Sequence, residues 1–166
     1  MDLNYINPFI QSAVEIIKEV TDTDIRKTDV FVRKGRKSSG GIGIVLDVSK
    51  DVEGRIIFDL TREITLSFAR DMIGLNLGNA EELKQNKEML ESAIMELGNM
   101  ISGRAITILE KNRYNCDIAS PAVYIGKQRV LAPENNICIV INFESNKGNF
   151  SLCLTNKQDQ YRENIT

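Results

Sequence analysis

The chain has 166 residues, 42% of them hydrophobic and 27% charged, with a formal net charge of −2. That is the size of one globular domain, able to bury roughly two thirds of its unfolded surface, with no global pull toward nucleic acid or an anionic membrane. Histidine is absent, which excludes Ser-His-Asp and Cys-His nucleophilic machinery and any histidine-containing zinc site.

Met1-Asp2-Leu3-Asn4-Tyr5 lacks the basic and apolar regions of a signal peptide. Asn7-Pro8 reads as an N-cap followed by proline at the first helical position, and Ile10, Ala13, Val14 and Ile17 then recur at helical spacing. Val30 and Val32 suggest a strand, and Ile42 to Val48 alternates as a second. Arg55 to Asp59 follows as a third after the Glu53-Gly54 turn. Thr61 is placed to cap a helix carrying Ile64, Leu66, Ala69, Met72 and Ile73, which Gly74 ends. Asn79 to Asn112 reads as one long helix or two nearly continuous ones. Asp117 to Pro121 then breaks to a strand at Ala122 to Ile125. The clearest hairpin pairs Ile137–Phe143 with Phe150–Leu154 across Ser145-Asn-Lys-Gly148. Hairpins rather than β-α-β alternation give the α+β class. Residues 1–155 form the expected domain and 156–166 a polar C-terminal tail.

The longest apolar run, Ile137 to Ile141, is far too short to span a bilayer, so a cytoplasmic location is expected. Cys116, Cys138 and Cys153 contain no C-x-x-C pair and are expected as small core residues.

The segment from Leu90 to Ile108 carries the most information. On a helical wheel Leu90, Ala93, Ile94, Leu97, Ile101, Ala105 and Ile108 form one apolar stripe. Ser92, Glu96, Asn99 and Gly103 gather on the opposite side, within roughly 60° of one another. Glu96 has no basic residue three or four positions away, whereas Glu91 has Lys87. Asn99, Gly98 and Gly103 together give up roughly 2 to 3 kcal/mol of helix propensity within six residues. Gly98 is expected to admit a neighbouring helix, and Gly103 to clear space in front of Asn99.

Ser92-Ala-Ile-Met-Glu96-Leu-Gly-Asn99 resembles the Asp/Ser-x3-Glu-x2-Asn signature of the CheC, CheX and FliY chemotaxis phosphatases, with Pro121 standing for a downstream proline. The resemblance covers roughly residues 5 to 155 and implies a CheC-like domain. In that domain an antiparallel sheet carries long helices on one face, with a pseudo-repeated helix motif. It further implies hydrolysis of the aspartyl phosphate of a CheY-like response regulator, with Glu96 and Asn99 catalytic and Ser92, Gly103 and Pro121 at the docking surface. The first helix offers only Gln11-Ser-Ala-Val-Glu15-Ile-Ile-Lys18 where a second motif belongs, so one active motif, the CheX pattern, is expected, and with it a homodimer. No metal ligand or cofactor is required of this chain, since the receiver holds its own divalent metal.

Three other readings are weaker. Gly35 to Gly41 begins like a phosphate loop but has Gly41-Ile42 where Lys-Ser/Thr belongs. Arg33, Lys34, Arg36 and Lys37 form a basic cluster without interleaved aromatics, expected as a solvated turn rather than a nucleic-acid contact. A non-catalytic scaffold resembling the middle domain of the flagellar switch protein FliM is the competing class of function.

Overall fold

A computed structural model describes residues 5–37, 41–125 and 130–155; the tail expected from Asn156 lies outside them. The first helix, α1, spans Ile6–Thr21. It starts before the expected cap, with Asn7 and Pro8 inside its first turn, where proline is tolerated because those N–H groups have no intrahelical acceptor. Its buried face is Ile6, Phe9, Ala13, Ile16 and Ile17, and Val14, expected inside, is 36% exposed. The apolar residues of this helix fill one broad face, and the core takes the part that carries Phe9 and Ile16 while Val14 falls at its edge.

The remaining elements are β1 (Arg26–Lys37), β2 (Ile42–Lys50), β3 (Gly54–Leu60), α2 (Arg62–Ile73), α3 (Ala80–Gln85), α4 (Lys87–Lys111), β4 (Cys116–Ile118), β5 (Ala122–Ile125), β6 (Val130–Ser145) and β7 (Gly148–Thr155). Gly74 closes α2 in the left-handed region, as its position suggested. The long helical stretch divides at Asn86. There the Asn86 side chain donates to the Glu82 carbonyl at 2.8 Å, ending α3, whose own start is capped by Asn79 accepting from the Glu82 N–H at 2.9 Å. Among the described residues no helix is long and apolar enough to cross a membrane.

All pairings are antiparallel, in the order β1-β6-β7-β3-β2-β4, with β5 also on β2. Helices pack on one face. The main core joins Phe9 and Ile17 of α1, Phe68 of α2 and Leu97 and Ile101 of α4 to Ile44, Leu46, Phe58, Ile141 and Leu152 of the sheet. Each such side chain contributes roughly 1.5 to 3 kcal/mol on burial. A smaller cluster on the reverse face contains Ile57, Val140, Leu131 and Tyr124. A Cβ on Gly43 would overlap the Tyr124 ring, so the cross-strand tyrosine lies flat over a glycine.

All three cysteines are buried, but Cys138 and Cys153, on the adjacent strands β6 and β7, are joined as a disulfide, their Cα atoms 6.3 Å apart; Cys116 remains free. The basic cluster belongs to strand β1 and is not a turn. Arg36 turns inward to Asp59, whose side chain is only 1% exposed, and to Ser151. The middle of the supposed phosphate loop lies outside the described residues. Residues 26 to 34 of β1 are exposed without interruption. This strand forms one end of the sheet.

Candidate active site

Helix α4 owes its position to its apolar stripe. Leu90, Ala93, Ile94, Leu97, Ile101 and Ala105 are buried as expected, and Leu109 rather than Ile108 completes the stripe at the C-terminal end. Ser92, Glu96, Asn99 and Gly103 are all exposed on the other side. The amide Nδ2 of Asn99 donates to Glu96 Oε2 at 3.5 Å, so the two side chains project together from adjacent turns. Among the described residues Glu96 has no ion-pair partner, while Glu91 reaches Lys87 at 3.6 Å.

The glycines divide as differently as their surroundings. A Cβ on Gly98 would stand 2.8 Å from Ile44 Cγ2 and 3.1 Å from Pro121 Cβ. The close approach is therefore to strand β2 and to Pro121, and not to a neighbouring helix. Pro121 is itself buried. It supports the motif helix from beneath and does not stand at the exposed docking surface where the sequence placed it. Ser102 Oγ donates to the Gly98 carbonyl at 2.7 Å on the same flank. A Cβ on Gly103 would meet nothing within 4 Å, so the space beside Asn99 is open.

Helix α1 runs antiparallel to α4: Tyr5 stacks edge-on against Tyr114, while Glu15 and Glu19, further along, reach back to Arg104. Those ion pairs measure 2.8 and 3.4 Å. Sequence spacing did not single out Arg104, because its partners lie on a helix far away in the chain; the pair of acids four apart on α1 was the available signal. The would-be second motif is tied up locally. Gln11 donates to Glu15 at 2.8 Å, and Lys18 pairs with Asp22 at 2.9 Å and Asp24 at 3.1 Å. Hydrogen bonds to those two carboxylates raise the Lys18 pKa, and the ammonium lowers that of Asp22.

This arrangement presents a neutral carboxamide and a carboxylate side by side on a convex, solvated helix face, on a backbone held flush against the sheet. Such a surface has to enter another protein's site to act. Residues 42–144 match the family model for the chemotaxis phosphatase CheX. The chain belongs to the CheX family of chemotaxis phosphatases.

Among curated relatives, the chain is 28% identical over 127 residues to the CheY-P phosphatase CheX of Thermotoga maritima, covering 76% of this chain and 79% of that protein. The fold matches that of a CheX–CheY–BeF3–Mg2+ complex from Borrelia burgdorferi, with a TM-score of 0.77, 21% identity, and 95% and 100% of the two chains covered. It also matches a chemotaxis protein CheX from Desulfovibrio desulfuricans, with a TM-score of 0.78, 19% identity, and 93% and 99% covered.

Proposed function

We propose that the chain hydrolyses the aspartyl phosphate of a CheY-type response regulator, Asn99 orienting the attacking water while Glu96 docks on the receiver's active-site lysine. The observation that carries this reading is the exposed Glu96–Asn99 pair on the outer face of α4, in a chain of the chemotaxis phosphatase family. An acyl phosphate is already a high-energy bond, so the helper has to place a water in line with the leaving oxygen rather than supply a nucleophile. A carboxamide is suited to this placement, because its oxygen accepts from the water while its NH2 donates elsewhere. In this reading the Asn99 NH2 stays turned toward Glu96, and the oxygen is left for the water. The metal belongs to the receiver, and this chain contributes none. Ser92 and Gly103 lie under the docked receiver, with Gly103 giving it room to approach. The relatives support the choice of substrate: the Thermotoga protein is a CheY-P phosphatase, and the Borrelia structure is a complex with CheY. The reading places the chain in the cytoplasm.

The decisive measurement is the lifetime of the acyl phosphate on an acetyl-phosphate-charged CheY-type receiver, with and without the chain. A lifetime shortened catalytically at substoichiometric chain is expected. An unchanged lifetime with measurable binding would favour the scaffold instead.

We also infer a homodimer joined along β1. This end strand is bare from residue 26 to 34 and includes Val30, 51% exposed, and Val32, 64% exposed. A long strand edge left open to water, with an exposed apolar centre at Val30, Phe31 and Val32, is a pairing template.

A further inference from the structure

Three of the chain's five methionines, Met89, Met95 and Met100, fall on α4 around the Glu96–Asn99 pair. Taking Glu96 as the reference direction, Met89 lies about 20° away and Met100 about 40°. Met95 lies about 100° away on the other side, next to Asn99 at about 60°. Met89 is 52% exposed, and Met95 and Met100 are half-buried. The core stripe of this helix is made by other residues; Met100 packs its inner part against the main core, whereas Met89 and Met95 are not part of it.

The composition of this face is also unlike that of a solvated helix. Helix α3, which buries nothing, reads Ala-Glu-Glu-Leu-Lys-Gln. Of the six residues from Ser92 to Gly103 that reach the surface, by contrast, only Glu96 is charged, and charges resume at Arg104 on one side and Glu91 on the other. Depletion of Lys and Glu with enrichment of Met marks the centre of a protein interface rather than a free surface. Methionine also adapts to irregular partners through its unbranched, polarisable chain.

The occupant follows from geometry, given the proposed function on which this inference rests. Any receiver whose phosphoryl group meets Asn99 covers the helix on both sides of it. A standard interface of about 800 Å² per partner extends about 16 Å from its centre. Along the helix axis Met100 is about 2 Å from Asn99, Met95 about 6 Å and Met89 about 15 Å. We infer that Met95 and Met100, with Met89 at the rim, form the apolar surface on which the phosphorylated receiver docks. They govern affinity for the receiver and leave the chemical step to Asn99.

The test uses the full chain carrying Met89→Gln and Met95→Gln together, with the Met89→Leu, Met95→Leu chain as control. Binding is titrated with a CheY-type receiver loaded with beryllofluoride and Mg2+, and turnover is measured on the acetyl-phosphate-charged form. The glutamine variant should raise Kd and KM about tenfold, with kcat within about twofold of the parent. The leucine variant should stay close to the parent in all three. Unchanged Kd and KM in the glutamine variant, beside an active parent, would overturn the methionine surface and leave the phosphatase reading standing. A fall in kcat without a change in KM would overturn it as well. A parent chain that neither binds nor dephosphorylates the receiver would remove both together.

Discussion

Asn99 sits in the middle of a helix that alanine would favour by about 0.5 kcal/mol, and its exposed side chain secures nothing in the core. Asn99→Ala should therefore leave the thermal melt unchanged or raised slightly, while single-turnover dephosphorylation at saturating chain falls about 100-fold or more, as for loss of one transition-state positioning group. Wild-type turnover in that variant would make Asn99 non-catalytic. Glu96→Ala should fail differently, with more of the loss in affinity, because removing a partner from a buried interfacial lysine costs about 2 to 5 kcal/mol. The split between KM and kcat distinguishes the two residues. Cys116 gives an independent check on the packing: burial pushes its thiol pKa up, which lowers the thiolate fraction near neutral pH. Iodoacetamide should alkylate Cys116 slowly in the native chain and rapidly in urea, with the native rate rising at higher pH than for the unfolded thiol.

At the scale of elements, the two glycines of α4 predict opposite outcomes for the same substitution. Gly98→Ala drives a methyl into Ile44 and Pro121, an overpacking cost of about 1 to 3 kcal/mol that exceeds the helix-propensity gain of about 1 kcal/mol. The expected result is a lower melting temperature together with reduced kcat, because the helix is lifted and Asn99 displaced. Gly103→Ala meets open space and should stabilise by up to about 1 kcal/mol while weakening receiver binding. Calorimetry and turnover on the two variants read both signs. The motif helix was legible from the sequence because its buried and exposed faces alternate cleanly from Leu90 to Ala105, which placed Ser92, Glu96, Asn99 and Gly103 correctly on one face. The support beneath was not legible: Pro121 and Ile44 reach Gly98 through tertiary packing, which no local spacing encodes. The apolar face of helix α1 is broad, so periodicity alone took in Val14 at one edge, where the core uses Phe9 and Ile16 toward the other. Strand β1 showed only as Val30 and Val32, because a strand exposed on both faces has no inside-outside alternation to read. The paired part of the β6–β7 hairpin was visible, its turn chemistry and two apolar runs agreeing, but the first seven residues of β6, from Val130, were not.

At the scale of the whole molecule, the proposed dimer pairs β1 with a second copy of itself. Antiparallel pairing centred on Phe31 sets Val30 against Val32 and Asp29 against Arg33, each twice by symmetry. Opposite-charge and β-branched cross-strand pairs contribute roughly 0.2 to 1 kcal/mol apiece. Asp29→Arg should shift sedimentation toward the monomer, and adding Arg33→Asp in the same chain should restore the dimer; a double variant that stays monomeric would rule out this register. The sheet order puts β1 at one end and seats α4 over β2, β4 and β5 at the other. In the proposed pair joined along β1 the two Asn99 surfaces would therefore lie far apart on the same side of the continuous sheet, with no residue shared between them. Each head of the proposed dimer should work alone: specific activity per chain is expected to stay flat on dilution through the dissociation range, with a Hill coefficient of one for the receiver. What such pairing would add is valence, since a dimer that has engaged one receiver in a dense array holds its second head at high effective concentration over the neighbours.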